Sequence, residues 1–234
     1  RQMCIRDRPT DENNLIYKAA KLMMETYPIS GGVKIHLEKH IPIAAGMAGG
    51  STDAAATLKG MNRLFDLGCT LKDLMELGVK IGADVPYCVM GGTALAEGIG
   101  EKLTPLAPAP DCYVLVAKPD INVSTKYVYE HLDAQEIVKH PDIDGMVEAI
   151  AEESLQGILD RMENVLETVT VSAYPVIQTI KDRMKELGAI NSLMSGSGPT
   201  VFGIFVEKDM ARRAYDKLEE EQLAKQIFLT EFCE

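Results

Sequence analysis

The stretch PIAAGMAGGSTDAAA, residues 42–56, sets the glycines Gly46, Gly49 and Gly50 and the pair Ser51-Thr52 directly ahead of an alanine-rich run. Glycine inside a helix costs roughly 1 kcal/mol relative to alanine. The glycines therefore belong just before a helix, where backbone bends or comes close to another group. A glycine-rich loop running into a helix N-terminus is an anion site. Its unpaired N–H groups point at the ligand, and the helix dipole favours negative charge. On this reading the N–H groups of Gly46 to Thr52 converge on phosphates, and the hydroxyls of Ser51 and Thr52 bond phosphate oxygens or ligate Mg2+. The plainer alternative is a tight turn with an ordinary Ser or Thr N-cap. No GK[ST] follows, so this is not a Walker A loop, and no GxGxxG follows a strand, so a dinucleotide fold is weakly supported. A second glycine loop, SGSGPT at 195–200, stands evenly between a turn and a ligand loop by itself.

The 234 residues around these loops suffice for one large domain or two small ones. A net charge of −11 disfavours a broad nucleic-acid surface. It leaves room for a small anion held by backbone N–H groups. No apolar run approaches the ~18 residues of a membrane span, and the opening residues lack the apolar core of a signal peptide. Cys4, Cys69, Cys88, Cys112 and Cys233 form no CxxC pair, so reduced thiols in a cytoplasm fit better than disulfides or a zinc site. His36, His40, His131 and His140 show no metal-binding spacing and read as surface or packing residues. Nothing in the sequence gives the oligomeric state.

Along the chain, RQMCIRDR (residues 1–8) has no periodicity and reads as a tail or as foreign sequence. From Asn14 the residues Leu15, Ile16, Ala19, Ala20 and Met23 recur on one helical face. VKIHLEK, 33–39, alternates like a strand. A helix is predicted over about 51–65, and a third opens on Thr70 with Asp73 as a capping box. TALAEGIGEKLTPL, 93–106, reads as two short strands around Gly98 and Gly100. APAPD, 107–111, is the candidate linker. In the second half CYVLVAK is a buried strand, followed by helices near 124–132, 143–150 and 152–167. A strong helix starts at Pro175. TVFGIFV is a strand after the second glycine turn, and a charged helix over about 208–222 precedes the strand QIFLTEF. The class is α+β in two domains divided near residue 110.

Two carboxylates compete for a chemical role. Asp84, in IGADVPYCV, reads more readily as a helix cap than as a base. Asp53 stands in the first turn of the predicted 51–65 helix, where it suits the dipole but would repel a phosphate if it pointed inward. It is read as pointing away.

PIAAGMAGGSTDAAA resembles the phosphate-loop motif of the GHMP kinases, the superfamily of galactokinase, homoserine kinase, mevalonate kinase and phosphomevalonate kinase. SGSGPTVFGIF resembles their C-terminal glycine motif. LGVKIGADVPYCVMGGTALAEGIGEKLTPL (77–106), with DENNLIYKAAKLM (11–23) and NVLE (164–167), narrows the resemblance to one branch. That branch phosphorylates the 2-hydroxyl of 4-diphosphocytidyl-2-C-methyl-D-erythritol in non-mevalonate isoprenoid biosynthesis. The likeness runs in order from about residue 11 to the end.

The resemblance implies a GHMP kinase fold. It comprises a ribosomal-protein-S5-like N-terminal domain over 9–110 and a ferredoxin-like C-terminal domain over 111–234, with the site between them. It implies ATP held by Pro42, Ile43, Ala44, Ala45, Gly46, Met47, Ala48, Gly49, Gly50, Ser51 and Thr52, together with Ser195, Gly196, Ser197 and Gly198. It implies Mg2+ with Ser51 as its protein contact, and it makes Asp84 the catalytic aspartate. Thr52 stands where the family often has a second Ser, which keeps the hydroxyl. Gly49→Val is then expected to block the nucleotide's approach.

The family's AK[IL]N motif, whose lysine assists the aspartate, and its GYH motif, which helps hold cytidine, are absent from this sequence. The sequence is accordingly read as an N-terminally incomplete gene product. The first domain's sheet would lack strands and leave an edge such as Val33–Leu37 open, so the chain alone is expected to be poorly soluble and inactive. Two alternatives stand beside the kinase: a nucleotide-binding fragment without turnover, and another small-molecule kinase of the superfamily.

Overall fold

The computed structural model describes residues 12–133 and 140–232. The tail expected at residues 1–8 lies outside the described residues. Backbone packing separates one unit, which runs to Ile43 and then from Ala48 to Pro105, from a second made of Ala44–Met47 and the chain from Leu106 onward.

The first unit is built on helices. Helix α1 (Leu15–Thr26) opens on Asn14, whose side chain accepts a hydrogen bond from the Ile16 N–H at 2.9 Å, as an N-cap should. Its predicted face is the buried one: Ala19, Ala20 and Met23 pack with Ala54, Ala55, Leu58 and Met61 of α2 (Gly49–Leu64). Helix α3 (Leu71–Val79) has the capping box foreseen at Thr70 and Asp73, with both reciprocal bonds made. Helix α4 (Val85–Met90) adds Val85 and Val89 to the same core. β1 (Ala94–Glu97) and β2 (Lys102–Pro105) form an antiparallel hairpin. Its turn carries Gly98 at φ +70° and Gly100 at φ +110°, a region that glycine enters without strain.

The strand predicted for 33–39 is not formed among the described residues. The alternation correctly turns Val33 and Leu37 inward, but Ile35 is left exposed. A strand also needs a partner's N–H and C=O groups, and no described segment supplies them to this stretch.

The second unit is an antiparallel sheet with β3 (Tyr113–Lys118), β4 (Asn191–Met194), β5 (Val201–Phe205) and β6 (Gln226–Glu231) in the order β4-β5-β3-β6. Helices α5 (Thr125–His131), α6 (Ile143–Ala151), α7 (Leu155–Asp160), α8 (Glu167–Ala173) and α9 (Val176–Glu186) intervene between β3 and β4, and α10 (Lys208–Glu220) lies between β5 and β6. The pattern is the βαββαβ of ferredoxin-like folds, so the chain is α+β. Leu115 and Ala117 of β3 pack with Ile177, Ile180 and Met184 of α9 and Ala211, Ala214 and Leu218 of α10. Val114 and Val116 pack instead with Leu159, Ile204 and Met47. Both faces of β3 are therefore covered, which explains a run of apolar residues in place of alternation.

Of the helix predicted over 152–167, only α7 (Leu155–Asp160) forms, and α8 begins at Glu167. Glu153 at φ +54° ends α6, and Ser154 caps α7 with an acceptor for the Gly157 N–H. The stretch before α8 holds Asn164, whose side chain bonds backbone elsewhere in the unit. Strand β4 was not foreseen; its four residues, with Asn191 and Ser192 among them, read as part of the glycine turn.

Candidate functional site

The helix after the first glycine loop starts at Gly49, two residues earlier than the sequence suggested. Its N-cap is Ala48, at φ +47° and with no side-chain cap, so an ordinary Ser or Thr N-cap is not what the loop provides. Ala44, Gly46 and Ala48 all have positive φ, at +48°, +67° and +47°. Positive φ at alternate positions makes this a tightly turned stretch of backbone ahead of the helix. Two of the three are alanines, each costing on the order of 1–3 kcal/mol there, a strain that persists only where the surroundings enforce it. The first intrahelical bond runs from the Thr52 N–H to the Ala48 carbonyl at 2.9 Å. The N–H groups of Gly49, Gly50 and Ser51 precede it and have no acceptor within the helix. The Thr52 hydroxyl also bonds the Ala48 carbonyl, at 3.1 Å, which leaves the buried Ser51 as the hydroxyl not spent on that carbonyl.

The lower part of this loop meets the second one within the second unit. The Ser195 hydroxyl donates to the Gly46 carbonyl at 2.7 Å. A Cβ at Gly46 would overlap the Ser195 carbonyl oxygen and lie 3.1 Å from the backbone N and O of Gly198. Ser197 is fixed through its hydroxyl to Thr125 at 2.9 Å and through its carbonyl to the Thr170 hydroxyl at 3.3 Å. Gly46, Ser195, Gly196, Ser197 and Gly198 are thus brought together backbone to backbone. Gly46→Ala should cost about 2–5 kcal/mol, from left-handed strain plus overlap. At ~2–4 °C per kcal/mol for a chain of this size, calorimetry should show the melting point down by at least ~4 °C.

The NVLE segment holds the second loop in place, a role that sequence reasoning missed. The Asn164 amide donates to the carbonyls of Met194 and Gly196, both at 2.8 Å. Glu167 accepts from the Met194 N–H at 2.8 Å and pairs with Lys181 at 2.5 Å. The Glu167 and Lys181 side chains are only 18% and 10% exposed, so the pair is largely shielded from water. The signal available was an amide and an acid three residues apart between apolar positions.

Asp84 occupies the N-cap position of α4, yet its side chain makes no cap hydrogen bond, and the residue is exposed. The capping role therefore does not use its carboxylate. One turn along the helix, Cys88 Sγ lies 3.5 Å from the Thr52 hydroxyl of α2. Burial pushes the Cys88 thiol up; the Thr52 hydrogen bond lowers it, the Asp84 charge raises it, and Lys39 and Lys59 lower it. Asp84 thus lies within electrostatic reach of the thiol that touches the start of α2.

Asp53 falls in the second turn of α2 rather than the first, because the helix starts at Gly49. It pairs with Lys39 at 2.5 Å, and Lys39 also donates to the Gly49 carbonyl. A Cβ at Gly49 would come 2.8 Å from Ile41 Cγ2 and 3.1 Å from Lys39 Nζ. Gly49→Val, expected from sequence to obstruct a nucleotide, would first disrupt the protein's own packing.

The GHMP kinases N terminal domain family matches residues 14–92, and the GHMP kinases C terminal family matches 146–225. A protein of Lachnoclostridium phytofermentans named 4-diphosphocytidyl-2-C-methyl-D-erythritol kinase is 57% identical over 226 residues, 97% of this chain and 78% of that protein. One of the same name from Lachnospira eligens is 56% identical over 223 residues, 95% of this chain and 77% of that protein. A crystal structure of 4-(cytidine 5'-diphospho)-2C-methyl-D-erythritol kinase superposes with a TM-score of 0.83 at 34% identity, covering 97% of this chain and 81% of its own. Homoserine kinase from Cytophaga hutchinsonii shares the fold, with a TM-score of 0.80 at 22% identity over 97% of this chain and 78% of its own. With more than half of its residues identical to such relatives across nearly its whole length, the chain belongs to the 4-diphosphocytidyl-2-C-methyl-D-erythritol kinases of the GHMP superfamily.

Proposed function

We propose that this kinase transfers the γ-phosphoryl group of ATP to the 2-hydroxyl of 4-diphosphocytidyl-2-C-methyl-D-erythritol, in the cytoplasm, as a step of non-mevalonate isoprenoid biosynthesis. The observation that carries the reading is the uncapped N-terminus of α2, with Asp84 one helical turn from the thiol that touches it. No described helix is long and apolar enough to cross a membrane.

Phosphoryl transfer needs positioning and charge stabilisation more than covalent help from the protein. The N–H groups of Gly49, Gly50 and Ser51, at the positive end of a helix of 16 residues, would hold the phosphate oxygens. Among the described residues no group of three or more His, Cys, Asp or Glu is disposed to hold a metal. A single protein hydroxyl, that of Ser51, alongside nucleotide oxygens is a donor set that suits Mg2+. When bound, the ion would neutralise charge on the phosphate oxygens. Asp84 would accept the proton of the substrate hydroxyl as that oxygen bonds to the γ-phosphorus and the bond to the β,γ-bridging oxygen breaks, with ADP leaving.

The test is ADP release with the cytidyl substrate, homoserine or mevalonate as acceptor, with the product identified by phosphorus NMR. Release should depend on the cytidyl substrate and give a phosphomonoester at its 2-position. Turnover with homoserine or mevalonate in its place would assign the chain to a sister kinase.

A further inference from the structure

We infer that Lys39 is a positioning residue that keeps the phosphate loop attractive to a polyanion by cancelling the charge of Asp53 and orienting the peptide between Gly49 and Gly50. The inference rests on the reading of the loop as the nucleotide site.

Asp53 lies four residues beyond Gly49, one turn into α2. Its side chain is 15% exposed, so water screens it poorly. A lone carboxylate there would oppose phosphates bound at the helix N-terminus and offset the favourable end of the dipole. Lys39 comes from outside the helix, from the segment that pairs with no strand among the described residues. Its side chain is 4% exposed, and the ammonium sits 2.5 Å from Asp53 Oδ2. The Lys39 ammonium offsets the Asp53 charge, so the N–H groups of the first turn keep their attraction for an anion.

The second bond of Lys39 is as informative. Its ammonium donates to the Gly49 carbonyl. In a trans peptide that carbonyl and the Gly50 N–H point in opposite directions along one plane. Fixing the carbonyl therefore fixes the Gly50 N–H, and charge on the acceptor side polarises the donor side. Gly49 has no room for a Cβ because Ile41 and Lys39 lie over it, so the seat for the ammonium and the glycine of the loop require each other. A neutral hydrogen-bond donor at position 39 could hold the carbonyl but would leave Asp53 charged.

The experiment is a charge cycle on the protein, reading KM for ATP, kcat and the melting point. Lys39→Met should raise KM for ATP about tenfold, with kcat and KM for the cytidyl substrate within about threefold. Adding Asp53→Asn should return KM for ATP to within about threefold of the starting protein. Lys39→Arg should keep it low. A Lys39→Met chain with unchanged KM for ATP, or a double variant that keeps the raised KM, overturns the inference and reduces the pair to a structural staple. Should Lys39→Met fail to fold, Asp53→Asn alone decides, because it leaves the cation in place. KM for ATP should then fall and depend more steeply on salt; an unchanged or raised KM overturns the inference. The amide resonances of Gly49, Gly50 and Ser51 in the unsubstituted protein separate the two readings. If they shift on addition of ATP, the loop reading stands whatever the variants do. If they do not, the loop reading fails and takes the inference with it.

Discussion

In the enzyme completed by a family-type N-terminal segment, Asp84→Asn should lower kcat by about 10²–10⁴-fold and leave KM for ATP within about twofold. The amide matches the carboxylate in shape and still accepts a hydrogen bond from a hydroxyl. It cannot take the proton. Because the Asp84 side chain makes no cap bond to α4, the substitution removes no structural contact there, and the melting point should hardly move. The α2 amides that would bind phosphate are untouched, so nucleotide affinity should persist. Asp53→Asn should cost kcat far less, under about tenfold, since that carboxylate is engaged with Lys39. Steady-state kinetics on both variants check this. The reverse ranking would assign the base to Asp53.

Glu167→Gln should be the most destabilising of the conservative substitutions around the second loop, by about 3–5 kcal/mol. Glutamine can still accept from the Met194 N–H. The Lys181 ammonium, in a side chain 10% exposed, would be left without its counter-charge, and an uncompensated buried charge is what makes such a change costly. Thermal unfolding should shift down by roughly 6–20 °C, at ~2–4 °C per kcal/mol. Combining it with Lys181→Met should recover much of the loss, because an apolar pair leaves no stranded charge. A melting point within ~2 °C of the parent would show that the pair does not hold the loop.

Features fixed by neighbouring residues were legible in the sequence. Asn14 announces α1, and Thr70 with Asp73 announces α3. The unbroken apolar run of β3 reflects a strand covered on both faces. The alternation of 33–39 was misread because it reports only which side chains turn inward, whereas a strand depends on a partner distant in sequence. β4 was missed because four residues carry little pattern. In the site, the glycines and the Ser51-Thr52 pair were visible by their types. Lys39, Asn164 and Lys181 were not, for a shared reason: each acts across 10 or more residues. An isolated lysine in a sequence reads as a solvated charge, and only the fold shows that Lys39 is enclosed against Asp53 and Gly49. The alanines at 44 and 48, with positive φ, were equally unreadable, since alanine signals a helix rather than a left-handed turn.

The most direct test of the account is a crystal structure with a non-hydrolysable ATP analogue, Mg2+ and the cytidyl substrate bound. The account predicts phosphate oxygens within about 3 Å of the Gly49, Gly50 and Ser51 nitrogens, and the substrate 2-hydroxyl within about 2.6–3.2 Å of an Asp84 carboxylate oxygen. A triphosphate seated away from the start of α2, or a 2-hydroxyl beyond hydrogen-bonding reach of Asp84 and close to another base, would contradict it.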